Sequence, residues 1–540
     1  MNSSNKTKIA IIGAGPVGLI LSARLASFGI ASIVMDKAPY LLRKGSKACL
    51  IHGDALEVLD KVGCGEQIAK EGIHWRIAHT YIRNVERITQ EYPERPGYGE
   101  FVNISQYRIE QEIVKLLEAN PLCELRWSSE VVGYSQQQDK VKLEVKHCTE
   151  TETLEFDYVI ACDGVRSTLR DLTGINFTGY THQDRFLVTD IKANIALTKE
   201  RHFHFDPQFN PGRQLVMHPQ PDNIWRIDWQ LPPNADIEAE KKNGQLDKRI
   251  KSVIGDIPYQ IDWISTYRFN QRVVDKFRLN RLFFAGDAAH SFPPYGSRGM
   301  NSGIQDADNL AWKLALVIRG SAGDELLDTY HEERFLAAKE NLRLTEATIK
   351  FMVPPTPLKQ IWRDTVLRIS EVWKPLRKQV NHGKMTEPFT YESSSLIDYN
   401  HRTPYVGAFS PDVVVYIDGE KSRLRKLFGE GFVCLFCADP NKVKQYLNKQ
   451  SHTHNGLDFS LVAAVPKGYF SPKEDERLIS VTYDDILFFE TLTEKQDSLF
   501  VIRPDGHLAG HYLLDNAPSL SSILEKVSGT DSLTFQREAP

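Results

Sequence analysis

The chain has 540 residues, more than a single hydrophobic core accommodates, so two or three domains are expected. A 41% hydrophobic share, 25% charged residues and a net charge of -4 without a basic block fit a soluble globular protein and exclude nucleic acid as its main partner. Seven scattered cysteines form no disulfide framework; with no signal peptide to read, this points to reducing cytosol.

The one early apolar run, KIAIIGAGPVGLILSARLA, is broken by glycines and proline, so it reads as strand, turn and helix and no membrane partner is expected. An all-apolar strand over 9–12 leads into Gly13-Ala14-Gly15-Pro16-Val17-Gly18, a helix to about residue 28, and a second strand over 32–35 that ends at Asp36. This is the dinucleotide fingerprint in its required setting, with Gly13 for the turn, Gly15 for close approach of a pyrophosphate and Gly18 for helix–strand packing. Asp36 stands about 20 residues on, where a carboxylate holds a ribose diol. A glycine turn that serves only packing is the competing reading, and the flanks weigh against it. The fingerprint does not separate FAD from NAD.

Residues 157–174, DYVIACDGVRSTLRDLTG, read as another strand, ending on Cys162-Asp163-Gly164, with Ser167 and Arg170 on the turn and helix that follow. Antiparallel strands are expected over 185–195, 201–205, 214–218, 225–231 and 263–269. In the fourth, Trp225, Ile227, Trp229 and Leu231 share one face and Arg226, Asp228 and Gln230 the other. The tryptophan face is either the roof of an aromatic pocket or sheet-packing core, with core the heavier reading. His202 and His204 share a strand face without a third ligand nearby, so they are read as solvent-facing and no metal site is expected.

A buried strand over 282–285 ends on Gly286-Asp287 and is followed by a Pro/Gly turn and a helix from near Asn301, closed by Arg319. Gly296, Gly299 and Gly303 bring backbone N–H groups toward the helix start, a site for a hydroxylated, partly anionic ligand. The helix over 326–349 carries a dense charge run, HEERFLAAKENLRLTEATIK, read as a solvated face. Residues 362–380 are helical with a break at Pro375, and 381–406 read as a linker. From about 407 strands are expected at 413–417, 432–436, 461–465 and 499–502, and helices near 441–447 and 519–527. Cys434 and Cys437 are formally C-x-x-C, but inside a strand they point to opposite faces, so no disulfide is expected.

GAGPVG, CDGVRSTLR and AGDAAHSFPPYGSRGMNSGIQDADNLAWKL match, in order and spacing, three motifs of the class A flavin-dependent aromatic hydroxylases. That is the p-hydroxybenzoate hydroxylase and phenol hydroxylase superfamily, and the chain is closest in style to the 3-(3-hydroxyphenyl)propionate hydroxylase-like monooxygenases. The resemblance implies an α/β fold. A Rossmann-like FAD-binding domain (1–180 and 270–380) would be interrupted by a mainly antiparallel β-sheet substrate domain (181–269, with part of 76–104). A thioredoxin-like domain would occupy 407–540.

It further implies that Gly13, Gly15, Pro16 and Gly18 hold the FAD pyrophosphate, Asp36 the ribose, and Gly286 with Asp287 the ribityl chain. Gly299, Met300 and Asn301 would present backbone to the flavin ring, and Gln106, in NISQYRIEQEI, would touch FAD. Asp163 belongs to a motif used near both FAD and the nicotinamide nucleotide. Pro293 and Pro294 match the turn lining the oxygen site, and His52 is a candidate phenol-polarising base set against plain packing. Two departures stand out. Lys47 occupies the place of an FAD-contacting arginine, keeping the charge without the planar fork. Gly296-Ser297-Arg298-Gly299 replaces Gly-Gly-Gln-Gly, putting a cation near the flavin edge that faces either substrate or solvent.

The implied reaction has NADH or NADPH reduce bound FAD, O2 trapped as a flavin hydroperoxide, and one oxygen atom passed to a small, electron-rich aromatic substrate. No second G-x-G-x-x-G exists, consistent with transient nicotinamide docking near Asp163. A cytoplasmic location and a homodimer paired through the tail are the accompanying expectations. The alternatives are a tailoring or inactivating oxygenase of a polyketide or antibiotic, and a flavin-binding regulatory protein without oxygenase activity.

Overall fold

The computed structural model describes residues 8–42, 48–182, 185–232, 234–352, 356–373, 388–399, 403, 405–450, 456–467 and 478–530. Lys47 and Pro375 lie outside the described residues. The all-apolar strand Ile9–Ile12 sits inside a six-stranded sheet in the order Arg278–Leu279, Leu282–Phe284, Tyr158–Ala161, Ile9–Ile12, Ser32–Met35, Cys123–Arg126. All neighbours are parallel except Arg278–Leu279, as expected for strands whose two faces are both covered. The helices Pro16–Ser27 and Arg298–Ile318 pack against each other, with Leu19, Leu21, Leu25, Leu310 and Leu314 in one core. The register places Ile12, Ala161 and Phe284 side by side, so the turns that follow open at one edge. Parallel pairing therefore brings three distant motifs together.

A second, seven-stranded sheet runs Tyr259–Tyr267, Arg185–Ala193, Ile224–Leu231, Gln214–Gln220, Arg201–Phe205, Ile77–Ile82, Val85–Glu91. Only the pair Arg201–Phe205 and Ile77–Ile82 is parallel. Trp225, Ile227, Trp229 and Leu231 pack with Leu246, Ile250 and Ile254 of the adjoining helix Gln245–Ile254. The tryptophan face is thus packing core, and the pocket-roof alternative is set aside.

His202 corrects the reading of solvent-facing histidines. It is buried, hydrogen-bonded to the Tyr81 hydroxyl at 3.1 Å and the Thr198 carbonyl at 3.0 Å, and stacked on His79. His204 is half-buried, stacked on Tyr81, and burial lowers its pKa to about 4. The described residues contain no group of three metal ligands.

The C-terminal sheet orders Glu420–Arg423, Val414–Ile417, Leu478–Tyr483, Phe459–Pro466, Phe432–Cys437, Ser498–Ile502, Leu508–Leu513. Within it, Phe432–Cys437 is parallel to the central strand Phe459–Pro466 and antiparallel to Ser498–Ile502. Cys434 and Cys437 are free and buried within that strand, where burial pushes the Cys434 thiol up to about 12.

The charge run on the helix Asp328–Met352 is not wholly solvated, which corrects the sequence reading. Glu333 and Arg334 are buried. Glu333 accepts hydrogen bonds from Lys313 Nζ (2.8 Å), both Arg503 terminal nitrogens (2.5 and 2.9 Å) and Ser394 Oγ (2.5 Å). Asp308 likewise receives Arg24 Nε at 2.8 Å and Lys61 Nζ at 2.7 Å, while Arg423 reaches Glu57 at 2.6 Å. Of these pairs, Arg503–Glu333 and Arg423–Glu57 fasten the C-terminal sheet to helices packed on the first. Tyr391, Ser394, Leu396 and Ile397 of the expected linker are buried. No helix among the described residues is long and apolar enough to cross a membrane.

Candidate functional site

Three turns build the floor of the site. Gly13 has φ 109°, and a Cβ there would lie 2.4 Å from the Cys162 carbonyl oxygen; one on Gly18 would lie 2.1 Å from that of Gly13. Both must be glycine for the turn to pack. A Cβ on Gly15 would meet nothing within 4 Å, so the second glycine alone faces open space, where a pyrophosphate can approach the backbone. Pro16 opens the helix that follows. Asp36 stands at the lip of this turn, accepting from Ala14 N and Ala38 N at 2.8 Å each.

At the second turn Asp163 Oδ2 accepts from Leu169 N at 3.3 Å, while its buried Oδ1 has no protein partner and burial raises its pKa. A buried oxygen of that kind calls for a ligand or water. At the third turn Gly286, at φ 58°, donates to Asp306 Oδ2 at 3.0 Å, and Asp287 follows. A Cβ on Gly299 would sit 3.8 Å from Asp287 Oδ1, so this carboxylate faces the start of the long helix.

The helix begins at Arg298, a turn earlier than expected, so Gly299, Met300 and Asn301 form its first turn. That turn holds no acidic residue and no side-chain cap, leaving backbone N–H groups for an anionic ligand. The Asn301 side chain also ties neighbouring segments to the helix start. Its Nδ2 donates to the Leu50 and Ser297 carbonyls at 3.1 and 2.7 Å, and its Oδ1 accepts from His52 N at 2.9 Å.

His52 is buried edge-on against Phe101, and burial, then Arg298, lowers its pKa to about 3. A pKa that low makes the ring a weak base, and His52 is absent from the cavity lining described below. Gln106 lies near the site, with its backbone N–H on the Ala48 carbonyl, but its side-chain amide is turned to Glu110 at 2.7 Å. Arg298 does not face solvent: it is buried and donates to Asn341 Oδ1 at 2.6 Å. Burial lowers its pKa to about 10.

Beneath the loop, Asp306 meets His290 Nε2 at 2.6 Å and Arg334 Nε at 2.7 Å, and against burial these partners hold its pKa at about 2. Sequence reading missed this cluster because its members are far apart and polar.

Over the helix start, Pro293 is buried, and the stretch from Pro294 to Ser297 lines a cavity of about 50 Å³. The opposite wall is the polar face of the second sheet: Phe186, Phe203 and Val216, with Arg201, His218 and Asp228. The alternation in the Trp225 strand gives this face, but a polar strand face normally signals water rather than a second buried wall.

The chain matches the FAD binding domain family over residues 6–345. It belongs to that family. Curated relatives include a 3-(3-hydroxy-phenyl)propionate/3-hydroxycinnamic acid hydroxylase of Mycolicibacterium smegmatis, 26% identical over 541 residues, 97% of this chain and 94% of the relative. Another protein of that name, from Klebsiella pneumoniae, is 29% identical over 439 residues, 79% of this chain and 77% of its own. Among solved structures, the flavin-dependent monooxygenase PieE superposes with a TM-score of 0.80 at 20% identity, covering 98% of this chain and 100% of that one. Aklavinone-11 hydroxylase gives 0.78 at 21%, with the same coverage, and both likenesses speak to fold alone. This member of the family is an FAD-dependent monooxygenase with an α/β fold. Its residues fit FAD: the open approach at Gly15, the placed carboxylates of Asp36 and Asp287, the unpartnered Asp163 oxygen and the uncapped helix start all lie where such a dinucleotide would need them.

Proposed function

We propose that the protein hydroxylates a small phenolic substrate, consuming NADH or NADPH and O2. Gly13, Gly15, Pro16 and Gly18 would hold the FAD pyrophosphate, Asp36 the ribose, Gly286 and Asp287 the ribityl chain, and Gly299 to Asn301 the ring. Bound FAD supplies the oxygen-activating chemistry. The chain's own residues do the rest. The start of the Arg298–Ile318 helix favours negative charge beside it. Pro293 and Pro294 wall the oxygen side, the stretch to Ser297 keeps water out, and the sheet face orients the ring. Asp163, beside the turn that follows Tyr158–Ala161, is read as the place where the nicotinamide nucleotide docks transiently.

The observation that carries this reading is the enclosed aromatic cavity at the helix start. Its volume of about 50 Å³ is far below the roughly 300–1,000 Å³ of pockets for drug-sized ligands. It is also smaller than the roughly 150 Å³ that holds one benzene, so the choice of a single ring over a fused polyketide rests on the curated relatives' names. Reduced cysteines support a cytoplasmic location. The strand order of the C-terminal sheet, with the helix Pro440–Asn448 crossing between its parallel strands, supports a thioredoxin-like structural tail.

Anaerobic stopped-flow reduction tests the reading. Mixing NADPH or NADH with the flavin-loaded protein should bleach the flavin faster in the presence of 3-(3-hydroxyphenyl)propionate than without it. A flavin that neither nucleotide reduces, with or without the phenol, would favour the regulatory alternative.

A further inference from the structure

The polar face that closes the cavity carries two ionisable side chains, Arg201 and Asp228, without hydrogen-bond partners among the described residues. In the cross-strand register Arg226, His218 and Arg201 form one row on three adjacent strands, and Asp228 lies two residues along from Arg226. Arg226 is committed: its Nε and Nη2 both donate to Asp190, at 2.8 Å each. The Arg201 guanidinium makes no hydrogen bond or ion pair among the described residues and lies 5.4 Å from the Phe203 ring centroid. Asp228 Oδ1 is buried without a partner. A cation and a carboxyl left without hydrogen bonds around a partly buried slot are costly to the fold unless a ligand or water meets them.

We propose that Arg201 binds an anionic substituent of the aromatic substrate, a carboxylate, and that Asp228 hydrogen-bonds the ring hydroxyl at the other end of the slot. This rests on the cavity being the substrate site. Two strand spacings and a two-residue step put the two Cα atoms about 12 Å apart. A single ring with a short acid side chain bridges that span together with the two protein side chains. Burial, offset in part by Arg226, holds Asp228 at about 7, so it can accept from a hydroxyl or donate to it. His218 between them stays neutral, because burial and the two arginines drive its pKa well down. It therefore leaves the positive charge to Arg201.

Calorimetric titration of the flavin-loaded, full-length protein tests this without turnover. The probes are 3-(3-hydroxyphenyl)propionate, its methyl ester and 3-phenylpropionate, which lacks the hydroxyl. The wild type should prefer the acid over the ester by about tenfold or more, the scale of a hydrogen bond to a charged group. Arg201→Gln should collapse that ratio toward one and Arg201→Lys should retain part of it. Asp228→Ala should collapse the preference for the hydroxylated acid over 3-phenylpropionate. Retained flavin absorbance and circular dichroism show that each variant is folded. Equal binding of acid and ester by the wild type, or an unchanged ratio in Arg201→Gln, overturns the anion site; an unchanged hydroxyl preference in Asp228→Ala overturns the second contact. Product is scored separately. If the acid binds with this dependence yet is never hydroxylated, the proposed reaction fails and the recognition stands; if none of the three probes binds, both fail.

Discussion

Ser297 holds the backbone at φ 51° just before the long helix, a left-handed conformation that a side chain adopts at a cost. Ser297→Gly should therefore raise the unfolding free energy by about 1 kcal/mol in urea titration, and no gain would show that the serine side chain offsets the strain. Asp228 is strained electrostatically. Its carboxyl titrates at about 7 in the folded protein, above the ordinary carboxylate value. The folded state thus keeps its proton to higher pH than the unfolded chain, and stability falls as pH rises from the ordinary value toward 7. Asp228→Asn should raise the melting temperature at pH 8 and leave it nearly unchanged at pH 4; equal shifts at both would contradict the assignment. At this scale Gly13, Gly15, Gly18 and Asp36 were legible because each answers a local geometric need. Arg201 and Asp228 were not, because only the fold reveals that the polar face of their strands meets a wall.

The helices Arg298–Ile318 and Asp328–Met352 are joined by charge as well as by apolar packing. Asp306 with Arg334, and Lys313 with Glu333, cross between them out of water. Removing one member strands the others, which for buried pairs costs about 3–5 kcal/mol. Glu333→Gln should destabilise by about 3 kcal/mol in urea unfolding, whereas a loss of a few tenths would mean that Lys313 and Arg503 find other partners. The amphipathic pattern revealed that these helices exist, and Gly299 and Asp287 marked where the first begins. The pattern could not reveal that Glu333 and Arg334 are inside, since a charge run is ordinarily a solvated face. What reverses it is the arrival of Arg503 from the C-terminal sheet at Glu333 and of the Tyr391 hydroxyl at Arg334. His202 misled in the same manner, its burial depending on Tyr81 from a strand more than a hundred residues earlier.

Across the whole molecule, buried ion pairs join the C-terminal sheet to the helices of the first, so the C-terminal sheet is part of the protein's frame rather than an appendage. Deleting 407–540 removes Arg503 from Glu333 and Arg423 from Glu57, leaving buried carboxylates in the remaining chain. The truncated protein should be insoluble or fail to retain flavin, and the intact one should melt in one calorimetric transition; a soluble, yellow truncation would show the tail to be dispensable. The nucleotide fold was legible from three motifs on parallel strand ends. The strands Leu478–Tyr483 and Leu508–Leu513 and the ion pairs binding the tail were not, because they depend on contacts made across the whole chain. The most direct test of the central claim is mass analysis of the product after the flavin-loaded enzyme turns over 3-(3-hydroxyphenyl)propionate with NADPH or NADH under isotopically labelled O2. A ring product heavier by one labelled oxygen atom is the predicted result. Nucleotide consumed with all oxygen appearing as hydrogen peroxide, or a protein that stays colourless after incubation with excess FAD, would contradict it.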